Sequence, residues 1–274
     1  MPYLKANDIS IYYEVQGDGE PLLLLMGLGG GSSMWWQQMA IFSRRYRVVA
    51  FDSRGVGRTD QPDTVYTMDM LVHDALGVLN GLDMAAAHVY GLSMGGMIAQ
   101  ELALCYPNAV SSLVLGATSC GGIHSAVPPQ ETVSQLSNLL NIPPAEAARV
   151  AAALTFSHSF IENHPDLIRE WLMKGAESPP SLQGFKRQTK AIASFDTYDR
   201  LPQIKVPTLV IAGTGDKLLP VENSRILASR IPNAELVLLE GAGHGYMWEA
   251  ADEANRTVLD FLKRQRSPPS TASA

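Results

Sequence analysis

Ser93, Asp216 and His244 are the residues of this sequence whose types and settings could do chemistry together. Ser93 lies in Gly91-Leu92-Ser93-Met94-Gly95, between an apolar run, Ala87-His88-Val89-Tyr90, and a helix-like run over 97–104. A serine at a tight strand-to-helix corner is exposed and strained, and glycines flank it because side chains at 91 and 95 would collide with neighbouring backbone. The unpaired N–H groups and positive dipole end of the following helix face the place where a carbonyl oxygen becomes negative under attack. The chemistry indicated is nucleophilic attack on an acyl carbon.

A serine hydroxyl attacks only when a base takes its proton, and the base needs a third group to orient it and balance its charge. The strand-like run 208–212 leads into Gly213-Thr214-Gly215-Asp216, and the run 235–239 leads through Glu240 into Gly241-Ala242-Gly243-His244-Gly245. A carboxylate and an imidazole thus each follow a strand, and in a parallel sheet such positions share one edge. Taken alone, Asp216 reads more readily as a turn residue or as the cap of a helix starting near Val221 than as a catalytic group, and His244 can be read as an idle loop histidine. The order Ser, Asp, His, each behind a strand, favours the joint reading. His73 falls in a helix, His88 starts a strand, and His124, His158 and His164 fall in a helical insert.

The remaining need is a pair of donors for the oxyanion. One is the backbone N–H of Met94, the residue after the nucleophile, and the other is expected from Leu28 in the loop Gly27-Leu28-Gly29-Gly30-Gly31. Gly27 and Gly29 let that backbone approach a substrate closely. A phosphate-binding reading of the same glycines fails, because the loop lacks a Gly-Lys-Ser/Thr ending and the Gly-x-Gly-x-x-Gly spacing. Asp52-Ser53-Arg54-Gly55-Val56-Gly57-Arg58 reads as a structural turn.

The elements that must position these residues alternate along the chain. Residues 9–15 alternate apolar and polar, as in a half-buried antiparallel strand. The runs 22–26, 47–51, 88–90, 112–115, 208–212 and 235–239 are continuous and apolar, as in parallel strands covered on both faces. Helices are expected over 34–44, 68–82, 96–106, 221–230 and 251–263, with Pro107 and Pro232 stopping two of them. From 120 to 200 helix-like pieces (131–140, 144–154, 165–174 and 182–195) follow one another between proline pairs. The expected division is a core of 1–119 and 201–266, a helical cap over 120–200, and a disordered tail at 267–274.

The 274 residues carry a net charge of −6 and no long Lys/Arg run, which excludes nucleic acid as an expected partner. No apolar stretch is long enough to span a membrane, and 1–5 does not start a secretion signal. Two cysteines make no disulfide framework, and Cys105 is expected as a buried thiol in the helix after Ser93. A cytoplasmic protein with no cofactor and no metal, acting on a small molecule, is the resulting expectation.

Together these features resemble the α/β-hydrolase superfamily, over nearly the whole chain, and among its branches the esterases and enol-lactonase-like hydrolases. The resemblance implies a mostly parallel eight-stranded sheet flanked by helices with an inserted helical cap, and transfer of an acyl group to water through an acyl-serine. Met26 departs from the histidine common before the oxyanion-loop glycine, although the donor itself is backbone. A serine at position 93 argues against epoxide hydrolases and haloalkane dehalogenases, which use aspartate there. Carbon–carbon bond hydrolases share the triad but often carry an aromatic residue after the histidine, where this chain has Gly245. A slow-turnover ligand sensor is a further alternative. Trp35, Phe156 and Trp171, with Trp36, Phe160 and Phe185, are candidates for an apolar acyl pocket. Arg149, Arg169, Lys186, Arg187 and Lys190 are candidates to meet a carboxylated substrate.

Overall fold

The computed structural model describes residues 2–139 and 141–265. Eight strands form one sheet: β1 (Tyr3–Ala6), β2 (Ile9–Gln16), β3 (Glu20–Leu25), β4 (Tyr46–Phe51), β5 (Ala87–Leu92), β6 (Val110–Gly116), β7 (Thr208–Gly213) and β8 (Glu235–Leu239), in the order β1-β2-β4-β3-β5-β6-β7-β8. β1 and β2 pair antiparallel, as do β2 and β4, and every later pairing is parallel.

Alternate residues of the apolar strands serve two cores, which is why those strands lack a polar face. Leu23, Leu25, Val49 and Val89 pack with α2 (Met68–Gly81) and α3 (Met94–Cys105) on one side of the sheet. Leu22, Leu24, Val48 and Tyr90 pack on the other side with α1 (Trp36–Phe42) and the C-terminal helix, Ala251–Arg264. β8 differs from expectation in being only partly buried, because it is an edge strand. β1 escaped the pattern reading: four residues alternating exposed and half-buried at the other edge carry little periodic signal.

Among the described residues five helices lie between β6 and β7 with no strand among them: α4 (Gln130–Asn138), α5 (Pro144–Thr155), α6 (His158–Asn163), α7 (Pro165–Glu177) and α8 (Leu182–Ala193). α6 falls between the expected pieces, and Ser157 caps it by accepting from the Phe160 N–H at 3.2 Å. After β7 come α9 (Glu222–Arg230), then β8, the short α10 (Tyr246–Glu249) and α11 (Ala251–Arg264). The expected tail at 267–274 lies outside the described residues.

Two buried carboxylates secure the turn after β4. Asp52 accepts from the Ser32 N–H at 2.7 Å and the Arg58 N–H at 3.0 Å, and Asp74 of α2 holds the Arg54 guanidinium through two bonds of 2.5 and 2.6 Å. Residues 52–58 are therefore a structural turn, as their sequence suggests. Among the described residues both cysteines are free, and the expectation for Cys105 is corrected: it is exposed and Cys120 is buried. Cys105 ends α3 one turn beyond Glu101, on the outer side of the helix.

Candidate active site

The sheet order places a topological switch between β3 and β5. The chain leaves β3 for β4 on one side and returns to β5 on the other, so the loops after β3 and β5 open a crevice at the carboxyl edge. The loop after β3 is Gly27–Gly31 in sequence, and the corner after β5 is Ser93.

Ser93 has φ 55° and ψ −121°, a conformation that costs a non-glycine residue about 1–3 kcal/mol. Its surroundings hold it there: its N–H donates to the Gly116 carbonyl at 2.8 Å, and its carbonyl accepts from Thr118 Oγ1 at 2.7 Å and the Gly96 N–H at 2.9 Å. A Cβ at Gly91 would run into the Gly95 carbonyl, and one at Gly95 into the Leu25 carbonyl, so both glycines are required by close approach.

The loop after β3 runs alongside the serine, since a Cβ at Gly27 would lie 3.1 Å from Ser93 Cβ and 3.6 Å from Ser93 Oγ. Gly30 N–H donates to the Gly27 carbonyl at 3.1 Å and Gly29 has φ 70°, the pattern of a type II turn. Met26 is buried behind this turn, filling the space that a Cβ at Gly30 would need. Neither the Leu28 nor the Met94 amide donates a hydrogen bond among the described residues.

Asp216 and His244 meet across the ends of β7 and β8, with His244 Nδ1 2.8 Å from Asp216 Oδ2. The other carboxylate oxygen of Asp216 accepts from the Leu218 and Leu219 N–H groups at 2.8 and 2.9 Å, which fixes its orientation. With Nδ1–H given to the carboxylate, Nε2 of the neutral ring is left as the acceptor. Among the described residues no hydrogen bond joins His244 Nε2 to the Ser93 hydroxyl, a contact that ligand-free sites commonly hold loosely.

The segment around His244 is clamped from three sides. Gly245 N–H donates to the Thr155 carbonyl at 2.7 Å. Glu249 accepts from the Gly243 N–H at 2.9 Å, from the Ser157 N–H at 3.1 Å and from the Ser157 hydroxyl. Tyr246 shares a 2.7 Å hydrogen bond with Tyr90 of β5. These clamps join positions far apart in sequence and have no local signature, so pattern reading missed them.

The pocket candidates separate. Phe156 stands beside the histidine, where a Cβ at Gly245 would lie 2.7 Å from its ring. Trp171 packs edge-on against Phe156 at 5.2 Å, one step further out, and its buried indole N–H has no acceptor among the described residues. Trp35 is wholly enclosed, its ring 5.0 Å from that of Tyr90.

Among the cationic candidates, Lys186, Arg187 and Lys190 of α8 line a groove of about 720 Å³ that reaches Leu28 and Phe185, with Tyr66 opposite. Arg187 is paired with Asp63, whereas Lys186 and Lys190 have no acidic partner among the described residues. Arg149 and Arg169 lie outside that groove, and Arg169 is paired with Asp166. The remaining histidines have other neighbours: His88 bonds Ser112, His73 bonds Tyr106, His124 stacks on Tyr198, His158 faces Glu162 and His164 tilts against Phe160. No cluster among the described residues is suited to a metal ion, and no helix there is long and apolar enough to cross a membrane.

Comparison with known proteins fits this geometry. The chain is 31% identical over 263 residues to 3-oxoadipate enol-lactonase 2 of Acinetobacter baylyi, covering 95% of this chain and 96% of that protein. It is 33% identical over 268 residues to the 2-hydroxy-6-oxononadienedioate/2-hydroxy-6-oxononatrienedioate hydrolase of Burkholderia vietnamiensis, covering 94% and 93%. The crystal structure of the enol-lactonase from Burkholderia xenovorans superposes with a TM-score of 0.85 at 29% identity, covering 96% of this chain and all of that one. The sequence profile described as alpha/beta hydrolase fold matches residues 20–251, and with a switch-point crevice, a strained serine corner and a mostly parallel eight-stranded sheet, the chain belongs to the α/β-hydrolase family.

Proposed function

We propose that this protein is a serine hydrolase that cleaves a small carboxylic ester or lactone through an acyl-serine intermediate. The observation that carries the reading is the pairing of a held, strained Ser93 with an Asp216–His244 hydrogen bond of 2.8 Å at the same edge of the sheet. Ser93 Oγ attacks the carbonyl carbon while His244 Nε2 takes its proton, and Asp216 holds the ring and balances the imidazolium. The Leu28 and Met94 amides receive the oxyanion. His244 then returns the proton to the leaving alkoxide, and water, deprotonated by the same nitrogen, attacks the acyl-serine and releases the acid.

Gly27 and Gly29 keep the approach to the carbonyl open, and Phe156 with Trp171 forms the apolar wall for the substrate. Helices α4–α8, residues 120–200, act as the cap over a core of 1–119 and 201–266. Gln188, Phe185, Thr155 and Phe156 in that stretch meet the loops at the carboxyl edge, which supports this division. Two unpaired cysteines fit a reducing, cytoplasmic setting.

Relatives named as enol-lactonases, putative carbamate hydrolases and dienoate hydrolases share this architecture, and Gly245 favours the ester and lactone reading over carbon–carbon cleavage. Phe156 fills the space that an aromatic side chain after the histidine would occupy. The test is a panel of p-nitrophenyl esters of increasing chain length, simple lactones and a vinylogous 1,5-diketone, run on the wild type and on Ser93→Ala. Ester or lactone turnover that disappears in Ser93→Ala supports the reading. Turnover of the diketone alone, turnover that survives the substitution, or stoichiometric binding without turnover would overturn it.

A further inference from the structure

Gln188 of α8 is a fully buried amide with both ends in use, and both partners are main chain. Its Oε1 accepts from the Gly29 N–H at 3.0 Å and its Nε2 donates to the Arg54 carbonyl at 3.0 Å. The partners fix which end is which, since a flipped amide would set N–H against N–H and oxygen against oxygen.

The two attachment points differ in stiffness. The Arg54 guanidinium is held by Asp74 of α2 through two short bonds, Asp74 also accepts from Asn7 Nδ2 in the turn between β1 and β2 at 3.1 Å, and the Val56 N–H closes the turn around Arg54 on the Ser53 carbonyl at 2.9 Å. Gly29 sits at the third position of a tight turn with φ 70°, where glycine has wide freedom. Two peptide planes flank Leu28. The plane carrying the Leu28 N–H is held by its own Gly27 carbonyl, which accepts from Gly30 at 3.1 Å. The next plane, Leu28–Gly29, is the one that reverses when a type II turn becomes type I. Among the described residues its N–H is held only by Gln188.

We propose that Gln188 is a positioning residue for the oxyanion-binding turn: it fixes the Leu28–Gly29 peptide to the Arg54 carbonyl in the type II orientation and so keeps the Gly27–Gly30 turn, which carries the Leu28 amide, in one shape. The proposal rests on the functional reading above and adds a helix of the 120–200 segment as the source of that order. α8 also carries Phe185, whose ring would lie 3.0 Å from a Cβ at Gly29, so the same helix packs the turn as well as bonding it.

Gln188→Leu removes both bonds at similar volume. Loss of one oxyanion donor costs about a hundredfold to a thousandfold in kcat, so loosening the peptide beside one should cost about ten- to a hundredfold, with KM within about threefold. Hydrogen exchange of the peptide spanning 27–31 should accelerate in the same variant, and inhibition by a phenylboronic acid, which forms a tetrahedral adduct on the serine, should weaken by a similar factor. Gln188→Glu keeps an acceptor for Gly29 but can donate to the Arg54 carbonyl only when protonated. Its kcat relative to wild type should therefore rise as pH falls from about 8 to about 5.5, a trend that a packing role would not produce.

If Ser93-dependent turnover is present and both variants keep wild-type kcat and boronate inhibition, the proposal is wrong even where the melting temperature falls. It is equally wrong if exchange over 27–31 is unchanged. Absence of turnover in the wild type would instead overturn the functional reading, and the oxyanion role of the turn with it.

Discussion

The hydroxyls of Tyr90 and Tyr246 lie 2.7 Å apart in the core, joining β5 three residues before Ser93 to α10 two residues after His244. In the proposed mechanism these are the two elements that hold nucleophile and base at a fixed spacing. Burial pushes both phenols up from their ordinary value, Tyr246 well above it, with the neighbouring Tyr90 adding to the effect.

A raised tyrosine holds its proton in the folded protein at a pH where the unfolded chain, titrating near about 10, has released it. The pair's contribution to stability is therefore complete below about pH 10 and is lost as pH rises beyond it, by about 1.4 kcal/mol per pH unit per group. Urea unfolding at a series of alkaline pH values should show this decline in the wild type, and Tyr90→Phe/Tyr246→Phe should flatten it. An unchanged slope in the double variant would refute the assignment.

Asp216 orients His244 and is itself held by two backbone N–H groups. Asp216→Asn retains the shape but favours the wrong tautomer of the ring, so kcat on the preferred ester should fall by about ten-thousandfold with the fold intact. Circular dichroism and steady-state kinetics on the same preparation check this, and a loss below about tenfold would remove Asp216 from the mechanism.

Glu249 collects three donors, the N–H groups of Gly243 and Ser157 and the Ser157 hydroxyl, and so binds the end of α5 to the histidine segment. Glu249→Ala leaves partly buried donors without an acceptor, at about 1–3 kcal/mol each where water cannot replace it. A lower melting temperature together with a kcat reduced about tenfold is expected. A melting temperature that drops while kcat stays constant would show that the clamp supports the fold without placing His244.

The Arg54–Asp74 pair is almost wholly buried. Asp74→Ala strands a guanidinium and should cost about 3–5 kcal/mol in urea unfolding, whereas Arg54→Met/Asp74→Leu should recover most of that loss. Equal destabilisation in the two variants would mean that packing, rather than the stranded charge, sets the cost.

What could be read from the sequence follows from how local the cause is. The apolar strands and the Gly-Leu-Ser-Met-Gly corner were legible because continuous burial and close backbone approach leave their mark within a few residues. Asp216 and His244 could be placed because each follows its strand directly, and the structure brings these two together. β1 was not legible, since a short edge strand has no buried face to select its residues. The exposure of Cys105 is not legible, because residue type alone does not tell which side of a helix meets the core. The contacts of Gln188 with Gly29 and Arg54 and of Glu249 with Ser157 carry no local signal, the fold bringing these partners from 159, 134 and 92 positions away.

The position of β3 between β4 and β5 has a consequence for how the protein becomes competent. Leu22 pairs with His88 and Leu25 with Gly91, so the turn beside the serine and the serine corner come from segments that only distant strand pairing unites. Such pairing is slow to form because a long loop must close before any contact repays it. On the proposed mechanism, a nascent or nicked chain can therefore hold the whole Gly91–Gly95 segment and still be inert. In a refolding experiment, hydrolytic activity marks closure of the central sheet rather than formation of any single helix.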